Sequence, residues 1–541
     1  MSNDINEQVN HLIQKYQEPI SSVTDLLCDR HDENRTAFYY ENVNGFKASY
    51  TYGELKHDSL IFANTLKSLG VKKGSRVAVL LPKGRELIVS VLAIWRLGAI
   101  HVPLFTAFGP QAVFYRVDDS GSEIIITDAT NRSKLNGTST GADAIDTNKI
   151  KVITLDANEA DGDIDYWSTF ENTQALERNE VVTKDDLFII IYTSGTTGNP
   201  KGVQVPVYAL AAFETYMRFG LDLRKGDVFW NMADPGWAYG LYFGLVGPLL
   251  LGESFIVYNV PFNVQNTLSV FEEYEVTNFA GAPTAYRTMR AEGIDNSLKE
   301  KLPLRVLSSA GEPLNFDVIK WAEENVGLPI YDHYGQTELG MVLNNHHHPE
   351  LQNTYKPGTT GKPMPGYRMT ILNDNGEEVG PNVEGQLVID TEQSALFWFK
   401  GYYQNEKKTA ERYRYGSRYY LTGDDASYDE NGYFYFSGRN DDIISSAGYR
   451  IGPFEVESAM LGHEAVAESA VVGVPDERRG EVVKATIVLK AGYLPSEELE
   501  KEIQQYVKNN LSAHEYPRVI EFVDILPKTP SGKIQRFLLR S

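Results

Sequence analysis

The chain has 541 residues, and 51 Lys+Arg against 73 Asp+Glu give a formal net charge of −22. That acidity argues against binding nucleic acid or an anionic membrane through bulk charge. A composition of 42% hydrophobic and 23% charged residues describes a globular chain, and one cysteine, Cys28, excludes an intramolecular disulfide framework or a cysteine-built zinc cage.

At ~150 residues per domain the length corresponds to about three or four compact units, or one large and one small. The opening residues, MSNDINEQVN, are polar and lack a basic-then-apolar signal pattern. The most apolar stretch, residues 240–252, carries Pro248 and is shorter than the ~20 residues that a membrane span needs. The expectation is a soluble cytoplasmic protein with no membrane span and no nucleic-acid partner.

In chain order, residues 51–70 (TYGELKHDSLIFANTLKSLG) carry apolar residues at helical spacing and close on a glycine. Residues 76–81 (RVAVLL) read as a buried strand, 85–97 as a helix, and 123–127 (EIIIT) as a second apolar strand. Residues 129–185 are polar and rich in Asn, Asp and Thr, and read as surface loops. The strand 187–192 (LFIIIY) follows. Strands separated by helices predict a mostly parallel sheet covered on both faces. Past about residue 360 short strands and turns take over, as in 385–389 (GQLVI) and 432–438 (GYFYFSG). A compact final region contains strands at 470–474 and 485–489, a helix at 496–511 and a basic tail. The expected division is 1–438 and 439–541.

The segment directly after the strand at 187–192 carries the most chemistry. In YTSGTTGNPKGV, residues 192–203, the small residues Ser194, Gly195 and Gly198 let backbone N–H groups approach phosphate oxygens. Thr193, Thr196 and Thr197 add donors and Lys201 a charge. It is not a Walker A loop, because Gly202 follows Lys201 where Ser or Thr is required. AGEP (Ala310, Gly311, Glu312, Pro313) reads as a turn after a strand. YGQTE, from Tyr334 to Glu338, sets a hydroxyl (Thr337) beside a carboxylate suited to Mg²⁺ (Glu338). In YLTGDD, Asp424 follows a glycine turn, and a carboxylate suits two ribose hydroxyls. The run GRNDDIISSAGYRIGPFEVE begins at Gly438, and PKTPSGKIQR places Lys533 on a Gly-Ser loop. His346, His347 and His348 are consecutive and cannot converge from one helix face on a metal, so a solvated loop is expected. Cys28 lies far from these motifs and is expected to be structural.

These motifs, in this order from about residue 50 onward, resemble the adenylate-forming superfamily of acyl-CoA synthetases, luciferases and peptide-synthetase adenylation domains. The wording GYRIGPFEVE is similar to medium-chain acyl-CoA synthetases. The resemblance implies an α/β fold. Its large N-terminal domain would hold parallel-sheet αβαβα-type subdomains and a β-rich subdomain, followed by a small mobile α+β C-terminal domain. It implies that ATP, Mg²⁺ and a carboxylic acid meet in the first domain, with CoA as the second co-substrate. The 192–203 loop, including Lys201, would handle the ATP phosphates, and Gly311, Glu312, Pro313, Asp332, His333 and Tyr334 the nucleotide. Thr337 would contact phosphate, Glu338 would be the magnesium ligand, Asp424 would take the ribose, and Arg439 would touch the ribose or phosphate. Asp441 would be the hinge, Gly448 would admit pantetheine, and Arg450 would hold phosphates in one domain orientation. Lys533 would enter the site for adenylation only, and Lys508 and Arg518 would meet CoA phosphates. Relatives with a similar PKT-x-SGK segment are switched off by acylation of this lysine, which implies a protein lysine acyltransferase and deacylase as partners.

In acetate-activating relatives a tryptophan precedes the Gln-Thr-Glu triplet and blocks the acyl pocket; this chain has Gly335 there. Losing an indole leaves room for several methylenes, each worth about 0.8 kcal/mol if buried. With Ala310 small and the segment Trp237, Ala238 and Tyr239 expected to line the acid site, its two large rings capping the depth, a medium or short branched acid is expected, and Gly335→Trp is expected to shift preference toward acetate. Two alternatives stay open: an adenylating enzyme that loads a carrier protein, and an inactive relative that senses nucleotide.

Overall fold

A computed structural model describes residues 3–137, 144–158, 161–171, 173–193, 199–293, 302–312, 314–351, 355–439, 442, 444–446, 449–476, 479–510, 515–528 and 534–540. The helix expected after Thr51 runs Tyr52–Ser68. Thr51 starts it with a capping box: its side chain accepts from the Glu54 amide, and the Glu54 carboxylate accepts from the Thr51 amide at 2.7 Å. Gly70, at φ +101°, turns the chain away from it.

Seven strands form one sheet in the order Ile164–Asp165, Lys151–Leu155, Ile124–Asp128, Arg76–Leu80, Ile100–Pro103, Leu187–Thr193 and Lys201–Pro206. Every neighbouring pair is parallel except the last, a hairpin. The expected strands at 76–81, 123–127 and 187–192 are all here. The reading of 129–185 as loops is corrected. Lys151–Leu155 pairs in parallel with Ile124–Asp128 through all five residues, and Val152 and Ile153 are buried. Its uninterrupted apolar run is only Val152 and Ile153, too short to stand out.

Nine strands form a second sheet, in the order Lys362–Pro363, Gly340–Asn344, Ile330–Gln336, Val306–Ala310, Asn278–Gly281, Val228–Asn231, Ser254–Asn259, Thr36–Asn42 and Lys47–Thr51. Its centre is parallel and its two flanks are antiparallel. The apolar stretch 240–252 lies buried against it as the helical turns Gly240–Val246 and Gly247–Leu251. No described helix is long and apolar enough to cross a membrane.

Four antiparallel strands follow: Met369–Leu372, Gly385–Asp390, Tyr419–Tyr428 and Phe434–Arg439. The last sheet pairs Gly480–Leu489 with Val466–Asp476, Ile444–Ser446 and Val519–Phe522. Helices Pro453–Leu461 and Glu497–Asn510 contribute Val456, Met460, Ile503 and Val507 to its own apolar core. The fold is thus a large α/β N-terminal region with a β-rich part, followed by a small α+β C-terminal one. Cys28 is buried, its thiol donating to the Tyr52 carbonyl, and burial pushes its pKa up to about 12, as a structural cysteine should be.

The histidine run is not a solvated loop. His346 and His347 are 1% and 6% exposed, directly after the strand Gly340–Asn344. The His347 ring stacks on Tyr331 with centroids 3.9 Å apart, and Tyr331 stacks in turn on Tyr355 at 4.2 Å. Aromatic stacking makes this a core use of imidazole. Among the described residues no group of three or more His, Cys, Asp or Glu could hold a metal.

Candidate active site

The strand Ile330–Gln336 alternates its side chains, so Asp332, Tyr334 and Gln336 face one way and Tyr331 and His333 the other. Tyr334 and Gln336 meet the TGDD turn. The Tyr334 hydroxyl donates to Asp424 Oδ2, and Gln336 Nε2 donates to the same oxygen at 2.7 Å and to the Thr422 carbonyl at 2.8 Å. Asp424 is 5% exposed. Burial raises its pKa, opposed by the charge of Arg439, which pairs with it across the two strands. Arg439 Nε and Gln336 Oε1 are buried without a partner among the described residues. Unsatisfied polar atoms gathered around a carboxylate mark a place for a polar ligand. Asp332 is recessed beside them. Its burial lifts the carboxyl well above its ordinary pKa, against the His333 amide.

The His333 ring is not part of that surface, which leaves only its backbone for the expected contact with the nucleotide. Its ring is in the core, where Nδ1 accepts from the Tyr216 hydroxyl at 2.7 Å and Nε2 donates to the Asn345 carbonyl at 2.9 Å. Burial lowers its pKa to about 4, so the ring is neutral. Tyr216 lies 3.2 Å from the Tyr239 hydroxyl, so His333 supports the cleft wall through two tyrosines.

The phosphate loop leaves the strand Leu187–Thr193 and returns along Lys201–Pro206, with Thr193 opposite Lys201. Ser194, Gly195, Thr196, Thr197 and Gly198 lie outside the described residues, as do Pro313, Asp441, Gly448 and Lys533 and the side chain of Arg450. Thr193 Oγ1 is buried with no partner among the described residues, a donor at the mouth of the loop. Lys201 Nζ sits 4.7 Å above the Tyr402 ring. Burial lowers its pKa and the positive charge of Arg412 lowers it further, opposed by the Glu338 carboxylate.

Glu338 is 5% exposed. Its Oε1 accepts from the Tyr402 hydroxyl at 2.7 Å and lies 3.6 Å from Arg412. The Thr337 carbonyl accepts from Tyr242 at 3.1 Å. Gly311, at φ +95°, makes the AGEP turn and has open space where a Cβ would stand. The Glu312 carboxylate is committed to Arg287 at 2.7 Å and to Thr284 at 3.0 Å, so only backbone is left at this turn to face a base. The segment called for the acid is also placed. Ala310 ends its strand opposite His333, Trp237 packs on Phe105 and Phe108 with centroids at 5.4 Å, and Ala238 and Tyr239 pack against the main core. In the C-terminal region, Lys508 and Arg518 lie 5.7 and 4.8 Å from the Tyr516 ring, a cationic cluster around an aromatic face.

Gly335 carries a backbone constraint beyond its expected role. A Cβ there would stand 2.1 Å from the Gly340 carbonyl oxygen and 2.8 Å from Met341 Cα, because the strand shifts register between Tyr334 and Gly335. The glycine is required by the hairpin backbone, and an indole could enter only if that backbone moved. Gly335→Trp therefore tests the hairpin as much as the pocket.

Sequence reading missed three members: Gln336, Tyr402 and Arg412. Gln336 meets partners 86 and 88 positions away, Tyr402 meets Glu338 at 64 and Arg412 meets Tyr402 at 10, and no local spacing announces such pairs.

With this geometry in hand, comparison with known proteins is specific. The family "AMP-binding enzyme" matches residues 28–403 and "AMP-binding enzyme C-terminal domain" matches 455–533. The chain is 36% identical over 529 residues to acetyl-coenzyme A synthetase of Bacillus subtilis, covering 95% of this chain and 89% of that one. It is 39% identical over 528 residues to 4-hydroxybutyrate–CoA ligase 1 of Metallosphaera sedula, covering 96% and 90%. Among solved structures, an acyl-CoA synthetase of Brucella canis is 45% identical with a TM-score of 0.77, covering 99% of this chain and 98% of that one. A benzoate CoA ligase of Burkholderia xenovorans LB400 is 28% identical with a TM-score of 0.83, covering 96% and 100%. The chain belongs to the AMP-binding enzyme family and is an AMP-forming acid–CoA ligase that uses ATP, Mg²⁺ and CoA.

Proposed function

We propose that this ligase activates a short branched or medium-chain carboxylic acid to its acyl-adenylate and passes the acyl group to CoA. The observation that carries the site assignment is the unbroken polar run from Asp424 through Gln336, the Thr422 carbonyl, Arg412 and Tyr402 to Glu338. One end suits a ribose and the other a metal-bound phosphate, with Lys201 beside it.

The acid is ionised at neutral pH and needs no general base to attack the α-phosphorus. The obstacle is bringing an anion to a polyanion, so the work of the protein is positioning and positive charge. Asp424 takes the ribose hydroxyls, Asp332 and the Gly311 turn border the adenine, and the 193–201 loop with Lys201 and Thr337 holds the phosphates. Magnesium, when bound, neutralises phosphate charge. Glu338 fits it, since Oε1 is tied to Tyr402 while Oε2 has no partner among the described residues. One carboxylate plus substrate phosphates is an ordinary Mg²⁺ site. Small Ala310 and Ala238 set against the aromatic Trp237 and Tyr239 support an acid larger than acetate but limited in depth.

The proposed division of the chain is 438/439, one residue before a strand end. The strand Phe434–Arg439 ends one sheet and Ile444–Ser446 belongs to the next. About Asp441 the smaller domain would alternate between bringing Lys533 to the phosphates and bringing Gly448 to the pantetheine, with Arg450 on phosphate in one orientation and Lys508 and Arg518 on CoA phosphates. A buried, unpaired Cys28 suits a reducing compartment and supports placing the enzyme in the cytoplasm.

The test is CoA-dependent AMP and pyrophosphate release with acetate, propionate, isobutyrate, 2-methylbutyrate, 4-hydroxybutyrate, hexanoate, octanoate, palmitate and benzoate. A maximum at branched or medium acids is expected; a maximum at acetate rejects the pocket argument. Lys533 is also the proposed target of a protein lysine acyltransferase and deacylase. Acetylated protein should lose acid-dependent pyrophosphate exchange yet still make thioester from preformed acyl-adenylate. Exchange that persists in fully acetylated protein rejects that role.

A further inference from the structure

We infer that Tyr402 and Arg412 are positioning residues for the metal–phosphate end of the site, acting through Glu338; this rests on the reading of Glu338 as the magnesium ligand. Tyr402 is anchored by its backbone, not by chance packing. It bridges Val203 in the return strand of the phosphate loop, while the flanking Tyr403 amide donates to the Gly202 carbonyl at 2.7 Å. The Tyr402 amide itself donates to Thr409 Oγ1 at 2.9 Å. The ring is therefore tied to the same hairpin that carries Lys201, and that ammonium rests on its face.

The hydroxyl faces the other way. It donates to Glu338 Oε1 and accepts from Arg412 Nε at 2.9 Å, so its single proton is directed at the carboxylate. Arg412 is fixed by the Leu421 and Thr422 carbonyls, at 3.3 and 3.1 Å. The adjacent Gly423 makes room for it, since a Cβ there would stand 3.1 Å from Nη1. Held through Nη1 by these carbonyls, Arg412 directs Nε at the phenol, and the phenol orients the carboxylate. Oε1 is thereby committed to protein, which leaves Oε2 as the oxygen available to a metal. The arrangement couples three parts of the chain: the phosphate loop, the Gln-Thr-Glu turn and the TGD turn that carries Asp424. A ligand carboxylate held by a partner behind it loses about 10- to 100-fold in metal affinity when that partner is removed.

The experiment is calorimetric titration of ATP, without acid, into parent and variant protein in the presence of Mg²⁺ and in EDTA. Tyr402→Phe keeps the ring under Lys201 and removes only the hydroxyl. It should cut the gain in ATP affinity that Mg²⁺ confers by about tenfold or more, while leaving affinity in EDTA and the melting temperature near the parent's. Arg412→Gln should show part of the same loss, and it decides the matter alone if Tyr402→Phe does not fold. Glu338→Gln is the control and should lose the Mg²⁺ gain. If Glu338→Gln loses it and Tyr402→Phe keeps it, the inference is overturned and the metal reading stands. If Glu338→Gln keeps the parent's gain, the metal reading falls and the inference with it. Equal weakening with and without Mg²⁺ in Tyr402→Phe would make the residue a structural strut and also overturn the inference.

Discussion

Asp424→Ala should lower kcat/KM for ATP by roughly a hundredfold or more in acid-dependent pyrophosphate exchange. In the proposed role Asp424 accepts from two ribose hydroxyls, and a hydrogen bond to a charged acceptor is worth about 1.5–3 kcal/mol, with ~1.4 kcal/mol per decade. The cost extends beyond the missing contacts. Tyr334 and Gln336 both aim donors at Asp424 Oδ2, and the variant leaves the phenol without its acceptor in a buried place. Gln336 retains the Thr422 carbonyl, so the strand should hold its course. The loss should fall mainly on KM for ATP, with the melting temperature within a few degrees of the parent's. Asp424→Asn should be milder, because one carbonyl acceptor survives, although its amide nitrogen must then turn away from two facing donors. Parent-like KM for ATP in Asp424→Ala would mean that the ribose is held elsewhere.

What was legible in the sequence divides along physical lines. The buried strands Arg76–Leu80, Ile124–Asp128 and Leu187–Thr193 are runs of branched apolar residues, because parallel strands are covered on both faces. The 192–203 segment stood out as a candidate for phosphates because its residue types are local: small residues, hydroxyls and a lysine within one turn. Asp424 stood out as a ribose candidate for a similar reason, and the structure adds the partners of its carboxylate. Lys151–Leu155 was not legible, since its uninterrupted apolar run is only Val152 and Ile153. Nor were Tyr402 and Arg412, whose meaning exists only where three distant segments meet. Gly335 was legible as a small residue, and the structure adds a second reason for it that sequence does not show: the Gly340 carbonyl stands where a Cβ would go.

The histidine run misled for the opposite reason, and correcting it leads to a pH dependence. His101 and His346 are each 1% exposed, and burial lowers their pKa to about 3. His333 is lowered to about 4, and His347 is lowered as well. In the unfolded chain these rings titrate near ~6.5. Between that value and the folded ones, the unfolded state binds more protons, so stability rises with pH through this window and falls as pH drops through it. At pH 7 the folded rings are neutral and the unfolded ones only about a quarter protonated, so the slope there is about a quarter of its full value. At pH 5 each strongly shifted ring costs about 2 kcal/mol, from ~1.36 kcal/mol per unit over about 1.5 units. Set against a net stability on the order of 5–15 kcal/mol, that is a large fraction. Buried carboxyls with raised pKa, Asp332 and Asp424 among them, work in the opposite sense. They take up protons first in the folded state and offset part of the loss.

The melting temperature should therefore fall clearly between pH 7 and pH 5. His101 isolates one contribution, because both of its nitrogens lack a partner among the described residues and its ring packs edge-on to Trp95 at 6.1 Å. His101→Leu removes a buried imidazole without orphaning any donor or acceptor, so at pH 7 its stability should be close to the parent's. Between pH 7 and pH 5 it should lose about 2 kcal/mol less than the parent. Parallel pH profiles for the two proteins would show that His101 titrates alike in both states, and that burial does not hold this ring neutral.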